Sequence, residues 1–354
     1  MNSQLFPRRL AGVLTLALLL AWTVAPVAAQ PPLPRELALG THAVGTTYHA
    51  MGTGLAKVLS ERSGIRITLK PFSGPGAWIP LMNRGDLELG VVSLNDVSWA
   101  YTGAPFFLGQ KNPNLRLLVR GNWIRPVLGL VVPANSDIKR IADVRGKRVT
   151  SDFGANPIAR FLVEAWLASG GLGWSDVRSV PVPGVSEAAA ALRTGQVDVA
   201  FGATPTAPYM QELQAAVRLR ALPFADVPAE KVKTVSTATL EKLRQLIPAS
   251  ELDVVEPDGK ILKELYVSVK HPTSMVAAAP LTEAAAYQIV KTIWEHHRDL
   301  WPVHAWLKGW VPEQLFDPTP PIPYHDGAIR YWKEKGLWTP ELEQRQQRLL
   351  AAGR

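Results

Sequence analysis

The chain has 354 residues, 47% of them apolar, and no cysteine. This composition allows two ordinary domains with real cores, and it excludes disulfides, thiol nucleophiles and cysteine-based metal clusters. The 38 Lys and Arg against 30 Asp and Glu can help steer an anionic ligand, but they form no basic run, so nothing points to nucleic-acid binding.

Residues 1–29 resemble an export signal. Arg8 and Arg9 precede an apolar stretch at 10–21, and small residues end the segment at Ala29. The apolar stretch is too short for a good membrane span. The sequence therefore predicts a periplasmic protein whose signal peptide is cleaved after Ala29.

The first elements predict a strand–loop–helix unit. A strand over residues 35–40 leads into a glycine- and threonine-rich loop, and the next helix starts with Thr46 or Thr47 as its N-cap. A strand is predicted over 65–69. Free backbone N–H groups at such a helix start can bind an anion.

Residues 70–92 predict a strand end, a glycine-rich loop, a short helix, a turn and a strand, and residues 180–202 repeat this order. Two similar units about a hundred residues apart indicate two α/β lobes. Ligands of open α/β sheets bind at the carboxyl ends of the strands. The pattern therefore predicts two lobes that close on a small molecule.

Between the repeats, residues 93–101 predict a helix, and 115–120 and 127–132 predict strands, of which the second is expected to cross between lobes. A second glycine loop over 151–156 leads into a helix that begins at Asn156 and Pro157.

After the second repeat, helices are expected at 209–217 and 283–297, strands at 262–269 and 274–278, a helix and connector within 229–258, a proline-rich strap at 312–323 and a helix at 324–336. The tryptophans at 294–310 are expected to pack in the core. The predicted organisation is signal peptide 1–29, lobe 1 from 30–125, lobe 2 from 126–222, and a return to lobe 1 with the strap and C-terminal helices in 223–354.

The sequence shows no catalytic motif of the nucleophile-elbow, zincin or P-loop type. His42 and His49 can be considered as zinc ligands, but hydrogen-bonded histidines near the cleft are the favoured interpretation. We therefore predict no enzyme activity, no metal and no cofactor. Tyr48 either reaches the ligand or packs under its loop, and Asp152 either caps its loop or contacts ligand.

At this point the chain resembles the TAXI-type solute receptors of tripartite ATP-independent periplasmic (TRAP) transporters. The similarity runs from about residue 37 to 337 and rests on five motifs in order. They are GTTYHAMG at 45–52, RGDLELG at 84–90, LRTGQVD at 192–198, Ala-Thr-Pro at 203–205 and PYHDGAIRYWKEKG at 323–336.

The resemblance implies a type II periplasmic binding protein fold, two α/β lobes joined by a hinge with the cleft between them. It also implies a small organic anion or amino-acid-like ligand and a TRAP permease, with fused subunits, as partner. Pro75 and Trp78 depart from the polar residues of the family's pocket loop, and Asn95 stands where an Asp is usual. We therefore expect a flatter or more apolar ligand, with Trp78 against one face.

The predicted function is thus a monomeric periplasmic receptor, with a sensing module for a membrane kinase or a binding protein of an ABC importer as alternatives. The candidate ligand-binding residues are His42, Gly45, Thr46, Tyr48, Ser73, Gly74, Gly76, Ala77, Trp78, Asn95, Asp152, Asn156, Ser186, Thr204 and Pro205.

Overall fold

Three β-sheets, of six, three and two strands, form the framework of the described residues in the computed structural model, which describes residues 1, 32–107 and 109–353. The predicted signal peptide, apart from Met1, lies outside the described residues. The strands are β1 Glu36–Thr41, β2 Arg66–Pro71, β3 Leu89–Ser93, β4 Leu115–Ile124, β5 Gly129–Pro133, β6 Arg148–Ser151, β7 Arg178–Pro181, β8 Ala200–Gly202, β9 Leu219–Leu222, β10 Glu251–Val255 and β11 Tyr266–Ala278.

Helices pack against the sheets. They are α1 Thr47–Arg62, α2 Pro75–Arg84, α3 Leu94–Thr102, α4 Pro157–Ser169, α5 Val185–Arg193, α6 Pro208–Val217, α7 Thr237–Leu246, α8 Glu283–Glu295, α9 His297–Leu300, α10 Pro312–Leu315, α11 Asp326–Glu334 and α12 Pro340–Gly353. None of these helices is both long enough and apolar enough to span a bilayer.

The first sheet has six strands in the order β10-β11-β3-β1-β2, with β4 also paired to β11. β1 is parallel to both β2 and β3, because α1 and α2 carry the chain back across the sheet between these strands. As predicted, Thr46 caps α1, and its side chain accepts a hydrogen bond from the His49 N–H. This sheet and its helices are called the first lobe below.

The second sheet contains β5 with β8 and β9 as antiparallel neighbours, and the third contains β6 parallel to β7. An isolated bridge between Val149 and Val199 links these two sheets. The two sheets and α4, α5 and α6 are called the second lobe. The arrangement confirms the predicted α/β class and fits the two-lobe type II fold, whereas the exact residue boundaries of the lobes stay a prediction.

The chain crosses between the lobes beside the first half of β11. The Ser268 Oγ accepts a hydrogen bond from the Val127 N–H at 2.9 Å and lies 2.7 Å from the Val127 carbonyl oxygen. The Tyr266 hydroxyl lies 2.5 and 2.7 Å from the carbonyl oxygens of Leu128 and Leu222. These contacts tie the start of β5 and the end of β9 to one strand of the first sheet.

Several sequence-based element predictions need correction. The strands expected at 262–269 and 274–278 are one strand, β11, whose register against β4 shifts around Pro272. The connector over 229–258 ends in β10, and the strap at 312–323 begins with the short helix α10. The polar helix α12 was not predicted. By contrast, Trp310 is fully buried, as expected for core packing.

Candidate functional site

A cavity lies between the two lobes, at the carboxyl ends of β1 and β6. Its volume is about 60 Å³. Its lining residues are His42, Thr46, Thr47, Tyr48, Ile124, Val127, Asn156, Ile158, Ala159, Leu162, Val185, Phe201, Ala203, Thr204, Tyr209 and His271. This volume is small, so the cavity suits a compact molecule or must open to admit one.

The wall on the first-lobe side comes from the loop between β1 and α1. The rings of His42 and Tyr48 stack with centroids 4.3 Å apart and planes 19° apart. Both ring nitrogens of His42 are buried without a hydrogen-bond partner, and the Tyr48 hydroxyl is buried beside Ser93. Burial lowers the pKa of His42 to about 3, so its imidazole is neutral at physiological pH.

The wall on the second-lobe side comes from the start of α4, the loop after β8 and the start of α6. The hydroxyls of Thr47 and Thr204 lie 2.9 Å apart and join the two walls. Tyr209 lies in the first turn of α6, because Pro208 occupies the first helical position. Its hydroxyl is buried beside the Ala203 backbone, and burial raises the pKa of Tyr209 above its usual range.

A buried polar group lies behind the cavity at the start of α3. The Ile158 N–H of α4 donates a hydrogen bond to Asp96 Oδ1 at 3.2 Å, whereas Asp96 Oδ2 has no partner. Burial raises the pKa of Asp96 to about 8, and the hydrogen bond from Ile158 opposes this shift. His271 Nδ1 lies 3.4 Å from the Ser93 Oγ, and burial lowers the pKa of His271 to about 4.

The glycine-rich loop at 72–77 contacts the second lobe directly. The Gly76 N–H donates to the Ala155 carbonyl at 3.0 Å, and the Asn156 Nδ2 donates to the Ser73 carbonyl at 2.8 Å. A side chain at Gly74 would place its Cβ 2.4 Å from the Ala155 oxygen. Ser73, Gly74 and Gly76 therefore form part of an interlobe contact and do not line the cavity. Asn156 is at the N-cap position of α4, but its side chain makes this contact and does not cap the helix.

Trp78 requires a correction. Its side chain is fully buried and packs on the first sheet, where a Cβ at Gly90 would lie 2.4 Å from the ring and one at Gly40 would lie 3.3 Å from it. The ring thus fills the space that two glycines leave over β1 and β3. The prediction that Trp78 stacks on a ligand is wrong, because the side chain faces the core and not the cavity.

The structure brings five candidate residues together at the cavity, and it places the other candidates elsewhere. The five are His42, Thr46, Tyr48, Asn156 and Thr204. Gly45 has a φ of +87° and supports the turn into α1, whereas the Asn95 Oδ1 accepts a hydrogen bond from the Ala249 N–H. Asp152 is exposed with a φ of 62°, which favours its turn role.

Ser186, Ala77 and Pro205 are also outside the cavity lining. Ser186 lies in a separate surface depression that Tyr209 shares. Ala77 is exposed, and Pro205 is half-buried beside Thr204.

The candidate residues from the sequence do not include Thr47, Tyr209 and His271, or the apolar residues, all of which line the cavity. Tyr209 follows an Ala-Thr-Pro loop and a proline at a helix start, and this pattern was available as a signal. His271 lies inside a long buried strand, where nothing in the sequence separates it from a core residue. His49 bonds to the Thr41 hydroxyl at 3.1 Å, and among the described residues no group of His, Asp or Glu is arranged to hold a metal.

A model of the NMT1-like family matches residues 39–336. The chain belongs to the NMT1-like family. Among solved structures, it is similar to the alkanesulfonate-binding protein SsuA from Xanthomonas axonopodis pv. citri bound to MOPS, at 17% identity and a TM-score of 0.48, over 91% of this chain and 85% of that one.

This NMT1-like chain is also similar to the periplasmic aliphatic sulphonate binding protein SsuA from Escherichia coli, at 16% identity and a TM-score of 0.45, over 91% of this chain and 100% of that one. The PhnD1 protein from Prochlorococcus marinus in complex with methylphosphonate matches at 10% identity and a TM-score of 0.48, over 86% of this chain and 99% of that one.

Proposed function

We propose that this NMT1-like protein is an extracytoplasmic solute receptor that binds one small molecule between its lobes and delivers it to a membrane transporter. One observation carries the proposal. Residues of both lobes line one cavity, and both ring nitrogens of His42 are buried there without a protein partner. Buried polar groups are normally hydrogen-bonded, so such atoms point to a ligand.

The cavity suits binding without chemistry. Its two histidines, His42 and His271, are neutral because burial lowers their pKa values to about 3 and about 4. No Ser, Asp, Glu or Lys is among the described residues that line it. A nucleophile paired with a general base is the arrangement that acyl transfer needs. Closure around the ligand by hinge motion is the step that we assign to the protein.

We assign the partner as a TRAP permease on the strength of the five sequence motifs, and the ABC importer is the competing outcome. Proteoliposomes that contain a candidate permease would decide between them. We expect uptake that needs this protein and an ion gradient, without ATP. Uptake that needs ATP hydrolysis would assign the receptor to an ABC importer.

Native mass spectrometry of the freshly purified, exported protein tests the receptor function itself. We expect a one-to-one complex with a small molecule that disappears when the protein is unfolded. Absence of any bound molecule, together with no thermal stabilisation by a broad metabolite set, would contradict the proposal. N-terminal sequencing of the periplasmic fraction checks export, and it should begin at Gln30.

A further inference from the structure

Charged side chains are missing from the part of the cavity wall that the structure describes. Among these lining residues there is no Lys, Arg, Asp or Glu. Arg160 of α4 is engaged elsewhere, since it lies 3.7 Å from Glu164 and over the rings of Phe161 and Trp174. A buried carboxylate without a paired cation or several hydrogen bonds is strongly disfavoured.

Some amide donors near the cavity are already used by the protein. The Ile158 N–H at the start of α4 donates to Asp96 Oδ1, and the Gly76 N–H donates to the Ala155 carbonyl. The His49 N–H at the start of α1 donates to its own cap, Thr46. The carboxyl group of Asp96 therefore occupies the N-terminus of α4, where an anion would otherwise be favoured.

Neutral polar groups remain available. The two unpartnered nitrogens of the His42 ring offer one donor and one acceptor, and the hydroxyls of Tyr48 and Tyr209 can each donate or accept. The rest of the lining is largely apolar. This combination recognises a molecule with both kinds of polar atom and no net charge.

We propose that the receptor selects a compact, largely apolar ligand that is uncharged where it is buried, such as an aromatic amide, and that Tyr209 and the stacked pair of His42 and Tyr48 bind its polar group. This inference rests on the proposed receptor function, and it replaces the organic anion expected from sequence. A cationic ligand is disfavoured for the same reason as an anion, because no lining carboxylate would balance its charge.

Isosteric triads test the charge of the ligand directly. The triad of benzamide, benzoate and benzamidine differs in charge at almost constant shape, and so does the smaller triad of acetamide, acetate and acetamidine. Calorimetric titration of the full exported protein at pH 7.5 should show the amide binding at least about tenfold more tightly than either charged member. Preferential binding of a carboxylate or an amidine, or no binding of any member, overturns the inference.

Single-hydroxyl variants test the assigned contacts. Tyr209→Phe should weaken amide binding by about two- to tenfold, the range expected for one neutral hydrogen bond. Tyr287→Phe is the matched control, because that hydroxyl bonds to Glu334 on the surface and should leave binding unchanged. Equal affinities of the two variants would refute the assignment of Tyr209.

These experiments distinguish a wrong ligand class from a wrong receptor function. A carboxylate that binds and is weakened by Tyr209→Phe would overturn the uncharged ligand but support the receptor. A protein that binds no triad member and carries no molecule in native mass spectrometry would overturn the receptor function as well.

Discussion

Two loops of the first lobe follow the neighbouring parallel strands β1 and β2, but they have different roles. The loop after β1 and the first turn of α1 contribute His42 and Tyr48 to the cavity, whereas the loop after β2 contacts Ala155 in the second lobe. β1 lies inside the sheet between β2 and β3, and β2 is at its edge. A loop after an inner strand opens onto the centre of the cleft, so position in the sheet, and not glycine content, decides which loop binds ligand.

The largest expected effect is on the free energy of unfolding, and it distinguishes the core residue Trp78 from the cavity residue Tyr48. Trp78→Ala should lower the free energy of unfolding by about 3–5 kcal/mol, because it empties a fully buried site under the sheet. Tyr48→Phe should change it much less, because it keeps the ring that stacks on His42. Urea denaturation of both variants measures the difference. If the Trp78→Ala protein is stable but no longer binds ligand, the prediction that Trp78 contacts the ligand would be supported after all.

The next effect tests whether the 72–77 loop works as an interlobe contact. Gly74→Ala should destabilise the closed form by about 1–3 kcal/mol, because its Cβ would meet the Ala155 oxygen at 2.4 Å. The backbone of Gly74 is extended, so the contact and not the conformation carries the cost. Gly173→Ala is the control, since its nearest neighbour is at 3.9 Å. Small-angle scattering should show a more open Gly74→Ala protein, and identical curves for both variants would count against the contact.

The stability of the folded protein should depend on pH through Asp96, which accepts a hydrogen bond from Ile158 of the second lobe. Its pKa of about 8 lies above the ordinary 3.8, so the folded protein holds a proton that the unfolded chain has released. Stability must therefore fall as pH rises through this range, by about 1 kcal/mol between pH 7 and 8. Burial also lowers the pKa values of His42 and His271 from the usual 6.5. These two groups therefore stabilise the folded protein as pH rises towards 6.5, and they contribute little to the change between pH 7 and 8. Asp96→Asn should remove the fall between pH 7 and 8 in urea titrations, and an unchanged slope would exclude Asp96 as its source.

The smallest effect concerns the hydroxyl pair that joins the two walls of the cavity. Thr47→Val and Thr204→Val should each cost about 0.5–1 kcal/mol, because each leaves one buried hydroxyl without its partner. The double variant should cost less than the sum, since both polar groups are then gone. Additive losses in this double-mutant cycle would mean that the 2.9 Å contact contributes nothing to closure.

The sequence predicted the loop after β1 well, because a threonine cap and a strand end have local signatures. No local sequence signature indicated that the Trp78 side chain points into the core. This direction depends on the absent side chains of Gly40 and Gly90, which lie far from Trp78 in sequence and provide room for its ring. His271 was missed for a similar reason, since only the pairing of β11 brings it beside Ser93.

The central claim is that two lobes close on a ligand, and a distance between them tests it most directly. The chain has no cysteine, so Arg66→Cys and Gln196→Cys, at exposed positions without a described side-chain bond, give two unique spin-label sites, one in each lobe. Double electron–electron resonance should show a broad distance distribution without ligand and one shorter, narrower distance when the bound molecule or benzamide is added. One unchanged distance under both conditions would contradict the account.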